Sequence, residues 1–183
     1  FLNKDNHNSF RNLDNILKGG KTEHHRQFEK EVSENPDRFF DLLLKLKDKD
    51  FVLLKNDLNE RTISHRLAIY IEDIFTEYDV DCEYNKIPEG SKILDMISRK
   101  GTLEDDTKAV IVYPDIIVHK RDTDNNFMVI EIKKSTNNSN KEIDYDKRKL
   151  QEYKSQLGYK FAIFINIPTG ADYSTEDSEI EFI

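Results

Sequence analysis

Tyr113-Pro114-Asp115-Ile116-Ile117-Val118 and, after a polar turn, Val129-Ile130-Glu131-Ile132-Lys133-Lys134 are the residues whose reading decides the fold. Ala109 to Lys120 and Phe127 to Lys133 are runs rich in β-branched residues, and Asp122 to Asn126 between them carries turn-forming side chains, so the pair reads as a β-hairpin. Each strand brings one acid into an apolar run. Side chains alternate along a strand, which puts Glu131 and Lys133 on one face, with Ile130 and Ile132 on the other. With Asp115 facing Glu131 across the hairpin, two carboxylates converge near an ammonium. Burying such groups costs several kcal/mol each unless they are paired or bind a cation. The bare spacing leaves two readings open. One is an acid–lysine ion pair that ties the hairpin together; the other is a site for a hard cation.

Upstream, Asp57 to Tyr78 carries Ile63, Leu67, Ile71, Ile74, Phe75 and Tyr78 at three- and four-residue spacing, the stripe of an amphipathic helix. Asn59 is its expected N-cap, which sets Glu60 in the first turn, where the helix dipole favours a carboxylate. Val80, Cys82 and Tyr84 then alternate with Asp81 and Glu83 as in a half-buried strand. Glu89 to Asp106 is mixed, with a short helix expected around Ile93 to Ser98 followed by an acidic loop. Downstream, Ser135 to Lys141 reads as a loop and Asp144 to Leu157 as a helix capped by Gly158. Phe161 to Ile167 is a buried strand stopped by Pro168, and Glu179 to Phe182 a weak last strand. The order helix, strand, strand, strand, helix, strand implies an α/β sandwich with a mixed sheet.

Residues 1–56 read as a helical N-terminal extension and 57–183 as the main domain. Phe10, Leu13, Ile16 and Leu17 would line one short helix, Thr22 to Ser33 a second, and Asp37 to Lys47 a third that needs an apolar partner. His24 and His25, near Glu29, lie about 100° apart on a helix and suit a solvated face better than a metal site.

The 183 residues are 37% hydrophobic and 35% charged, with a formal net charge of -8, which fits a globular chain and argues against one that coats nucleic acid through its overall charge. Local clusters still decide where a polyanion docks, and an acidic site filled by divalent ions attracts phosphate. The single Cys82 excludes an intrachain disulfide and a cysteine-rich zinc site, and reads as a core residue. No apolar run approaches the roughly 20 residues of a membrane helix. The sequence opens on Phe1 without a signal-peptide pattern, which leaves targeting open; a cytoplasmic location is the default expectation.

Pro114-Asp115, a fifteen-residue gap and then Glu131-Ile132-Lys133 resembles the signature of the PD-(D/E)xK, or restriction-endonuclease-like, nuclease superfamily. The resemblance spans roughly Asn59 to Ile167 and says nothing of residues 1–56. It implies an αβββαβ core and a Mg²⁺-dependent nuclease, with Mn²⁺ able to substitute. Asp115, Glu131 and Lys133 would be catalytic, and Asp115, Glu131 and the Ile132 carbonyl would be metal ligands. It further implies an acid on the preceding helix, for which Glu60 is the best candidate, ahead of Glu72 or Glu77. Asp146-x-x-Lys149-Leu150-x-x-Tyr153 is similar to the helix that follows the signature, where some relatives place Gln at the position of Lys149, with Gln151 as the alternative. Lys134, Lys147, Lys149, Gln151 and Tyr153 are then the expected nucleic-acid contacts, against the reading of solvated surface lysines. The implied partner is nucleic acid, DNA ahead of RNA, with no membrane. The implied role is an effector of bacterial defence or restriction, with the N-terminal helices mediating self-assembly or a partner contact. The alternative is a catalytically silent nuclease-fold module for binding or assembly.

Overall fold

The computed structural model describes residues 36–87, 90–91, 93–97, 107–137, 139–174 and 177–183; the two helices expected before Pro36 and the His24/His25 pair lie outside them. The chain from Arg38 to Ile183 forms one unit. Its centre is Asn126–Lys134 (β7), whose residues from Asn126 to Ile132 are all buried, so both faces of this strand are covered. On one side β7 pairs antiparallel with Ile116–His119 (β6), which pairs antiparallel with Asp79–Cys82 (β1). On the other side it pairs parallel with Phe161–Ile167 (β8), which pairs antiparallel with Glu179–Phe182 (β9). The result is a five-stranded mixed sheet in the order β1-β6-β7-β8-β9. The helix Asn140–Leu157 (α4) makes the crossover that a parallel β7–β8 pair requires.

Register assigns the faces. Ile117 pairs with Val129 and Val129 with Ala162, and these join Leu150 and Tyr153 of α4 in one apolar cluster. Ile116, Ile130 and Ile163 share the opposite face and are fully buried. There the sheet meets the helix Glu60–Glu72 (α3), whose Ile63, Leu67 and Ile71 are buried. The helices Pro36–Lys49 (α1) and Phe51–Lys55 (α2) bury Leu42, Leu43, Leu46 and Leu54. Their corner is tied to α3 through Asp50, which accepts hydrogen bonds from Arg66 and Tyr70.

Several boundaries differ from the sequence reading, each for a local reason. The expected long strand from Ala109 to Lys120 is two strands in different sheets, Thr107–Ile111 (β5) and Ile116–His119. Pro114 has no N–H to offer a ladder, and its carbonyl accepts from Glu83 N at 2.9 Å. Ile93–Ile97 (β4) is a strand paired with β5, not the short helix expected there. Apolar residues at Ile93, Leu94, Met96 and Ile97 satisfy either period over so short a run, and pairing with β5 decides it. Lys86–Ile87 (β2) and Gly90–Ser91 (β3) form a further small antiparallel pair. The helix expected over Asp57 to Tyr78 is shorter at both ends. Asp57 has φ 52°, Asn59 caps by accepting from Thr62 N at 2.8 Å, and Asp73 ends it. The later helix begins at Asn140 instead of Asp144 and ends as read, on Gly158 in the left-handed conformation at φ 67°. None of the described helices is long and apolar enough to cross a membrane.

Candidate active site

Continuing the β6–β7 register by one residue from Ile116–Ile130 sets Asp115 across from Glu131. The break at Pro114 frees Asp115 from the ladder, and its Oδ2 accepts the Ile132 N–H at 2.7 Å, so the backbone of β7 orients one carboxylate beside the other. Glu131 and Lys133 lie two apart on the face covered by α4, and Glu131 pairs in the ladder with Phe164 of the apolar cluster. The geometry therefore places a carboxylate that is only 3% exposed against an apolar wall.

Two residues of α4 complete the group. Asp146 and Lys149 are one turn apart and both buried, on the same face as Leu150 and Tyr153. Lys149 Nζ lies 2.8 Å from Glu131 Oε2 and 3.3 Å from Asp146 Oδ1. Lys133 Nζ lies 2.9 Å from Asp146 Oδ2 and 3.7 Å from Glu60 Oε2. Signs alternate along the row Glu131, Lys149, Asp146, Lys133, Glu60, with Asp115 flanking Glu131. Glu60 reaches the group because the Asn59 cap fixes the first turn of α3, and its Oε1 accepts from Asn137 Nδ2 at 3.4 Å. Glu72 and Glu77, weighed as alternatives to Glu60, are exposed, as is His65.

Four carboxyls against two ammoniums leave two negative charges when all are ionised. The carboxyl pKa values reflect burial first and that excess of acids second. Burial pushes Asp115 up to about 6, against the Ile132 N–H and Lys149, which lower it. Burial raises Glu131 well above the usual carboxylate range despite Lys149, and the Asp115 charge raises it further. Both lysines are held above their ordinary value by the acids around them, although burial pulls them down. Glu131 Oε1 and Tyr153 Oη are buried and have no hydrogen-bond partner among the described residues. Unpaired atoms of this kind in a native interior mark a place for water or an ion.

The donor set is all oxygen, which suits a hard cation such as Mg²⁺ or Mn²⁺ and not a thiophilic one. Among the described residues no three His, Cys, Asp or Glu side chains gather closely enough to chelate an ion alone. Mg²⁺ commonly takes only one or two carboxylates and completes its shell with water and substrate oxygens, so the Asp115–Glu131 pair fits it. The Ile132 side chain is buried, and its N–H is the group that holds Asp115.

The residues expected to contact nucleic acid are not brought together on one outer strip. Lys149 and Tyr153 turn inward to the carboxylates because they share the helix face of Leu150. Lys134 is drawn to Asp57, with Nζ 2.9 Å from Oδ1, and Lys147 to Glu181 at 2.5 Å. Of the five, Gln151 alone is exposed. Asp146, part of the helix pattern in the sequence, has a role that emerges only from its contacts with Lys133 and Lys149. Its spacing of three, four and seven from Lys149, Leu150 and Tyr153 is the signal that it faces inward.

Fold and site define an α/β protein with a five-stranded mixed sheet, flanking helices and a buried acid–lysine cluster at the β6–β7 junction. The chain matches no protein-family model, and neither curated proteins nor solved structures give a significant match.

Proposed function

We propose that this protein is a metal-dependent nuclease of the restriction-endonuclease-like, PD-(D/E)xK type, hydrolysing phosphodiester bonds in nucleic acid, DNA ahead of RNA. One observation carries the reading. Asp115 lies across from Glu131 just before β6, an oxygen of Glu131 is buried without a partner, and Lys133 follows two residues on along the same face of β7. Asp115 and Glu131, with the Ile132 carbonyl, would hold the cation, and Glu60 would add its negative charge from the start of α3, beside Lys133. Bound there, Mg²⁺ or Mn²⁺ polarises the scissile phosphate and lowers the pKa of water. The Ile132 N–H keeps Asp115 oriented before substrate arrives, which removes a reorganisation cost from the reaction. Lys133, charged and half-enclosed, donates to a phosphate oxygen as negative charge builds there. Asp146 holds its ammonium from behind.

The test is incubation of the full chain with plasmid and with single-stranded DNA and RNA, in Mg²⁺, Mn²⁺ and EDTA. Cleavage is expected with either metal and not in EDTA, with Asp115→Ala and Glu131→Ala each reducing it at least about a hundredfold. Cleavage indifferent to both substitutions would remove the proposed site.

A second reading, a catalytically silent module of the same fold, draws on the ion pairs themselves. Lys149 and Lys133 join α4 to β7 and neutralise part of the cluster, as a purely structural network would. Under that reading, Lys149→Met lowers stability, Mn²⁺ does not bind and no substrate is cut.

A further inference from the structure

We infer that Lys149 is a resident counter-ion of Glu131 that passes to Asp146 when a divalent cation binds, so that this lysine sets the metal affinity of the site. The inference rests on the metal-binding reading above and adds to it a role for α4. Lys149 Nζ stands between two acids, 2.8 Å from Glu131 Oε2 and 3.3 Å from Asp146 Oδ1. Its side chain is 10% exposed, so an ammonium displaced from Glu131 gains little water in exchange for the carboxylate. Asp146 is the acceptor already within reach, and Lys133 and Lys149 hold its two oxygens. On the far side of Glu131, Oε1 is buried and unpartnered, and so is Tyr153 Oη among the described residues. The carboxylate thus has one oxygen committed to the lysine and one left open. A small shift of Nζ towards Asp146 frees both without unburying a charge.

Coulombic repulsion gives the direction of the effect. A divalent ion at Glu131 is repelled by the ammonium that lies 2.8 Å from Oε2. Removing that charge therefore strengthens metal binding. The same removal leaves Glu131 and Asp146 facing each other without their shared cation, which destabilises the metal-free protein.

The experiment measures Mn²⁺ binding to the full chain near pH 8, by the electron paramagnetic resonance signal of free Mn²⁺, alongside thermal melts with and without Mn²⁺. Lys149→Met is expected to lower the apparent Kd at least about tenfold. Its metal-free Tm should fall, and its Tm gain on Mn²⁺ should exceed the wild type's. Lys149→Arg, which keeps the charge, should stay within about threefold of wild type. An unchanged or weaker Kd in Lys149→Met, with wild type binding normally, overturns the counter-ion role and leaves the metal site intact. No Mn²⁺ binding by wild type overturns both. A Lys149→Met protein unfolded without metal is expected to fold as Mn²⁺ is added; one that stays unfolded at every Mn²⁺ concentration overturns the inference.

Discussion

Asp115 shows how one side chain is placed by its neighbours in sequence and tuned by its neighbours in space. Pro114 breaks the ladder just before it, the Ile132 N–H takes one of its oxygens, and burial drives its pKa up to about 6 from 3.8. Between about pH 4 and 6, therefore, the folded metal-free protein retains a proton that the unfolded chain has lost. That proton's contribution to stability is full below the unfolded pKa and is lost as pH rises through the folded one. Glu131, raised in the same direction, extends the loss to higher pH. A cation ligated by these carboxylates must displace those protons, so binding strengthens with pH. The Tm gain from Mn²⁺ should be small near pH 5, climb through pH 6 and be larger at pH 8. Calorimetry showing an equal gain at both ends would exclude Asp115 and Glu131 as the ligands.

Among the elements, α3 brings one carboxylate, Glu60, to the edge of the site. Its first turn is set by Asn59, whose Oδ1 accepts from both Thr62 N and Thr62 Oγ1 at 2.8 Å. The segment just before it is fastened to the end of β7. Lys134 Nζ and Thr136 Oγ1 both donate to Asp57 Oδ1, at 2.9 and 2.8 Å. Asn59→Ala should cost ~1 kcal/mol, or roughly 2–4 °C in Tm for a chain of this size. Because the same cap positions Glu60, the proposed nuclease activity should fall by more than that loss of stability explains. Asn59→Asp should restore both, and a rate that tracks only the folded fraction would deny Glu60 a part in the chemistry. The helix α4 contributes differently, through its rotation. The phase that buries Leu150 and Tyr153 also turns Asp146 and Lys149 inward, so packing and charge placement are set together.

For the molecule as a whole, a formal net charge of -8 opposes a polyanion at long range. Several lysines near the site are also engaged. Lys147 pairs with Glu181, Lys134 with Asp57, and Lys154 donates to the Ile183 carbonyl at 2.7 Å. Retention of DNA should then depend on a divalent ion bridging carboxylate and phosphate. In filter binding near 0.15 M salt, Ca²⁺ or Mn²⁺ should support retention and EDTA should abolish it. Strong retention in EDTA with a steep fall in added salt would point instead to a basic surface that tracks the backbone.

Much of the site was legible in the sequence, since a strand's two-residue period puts Glu131 and Lys133 on one face whatever they pack against. The hairpin reading supplied the register that brings Asp115 opposite, and Asn59 could be read as a cap because capping is local chemistry. The core strand Phe161–Ile167 was legible for a similar reason, bounded by Gly158 and Pro168. What only the tertiary structure decided is what depends on contacts distant in sequence. Ile93–Ile97 became a strand through pairing with Thr107–Ile111, which its own ambiguous pattern does not foretell. The helix period puts Asp146 and Lys149 on the inward face of Leu150 and Tyr153, but their partners depend on the fold: an acid of β7 lies beneath that face, where paired burial of opposite charges costs less than burial of either alone.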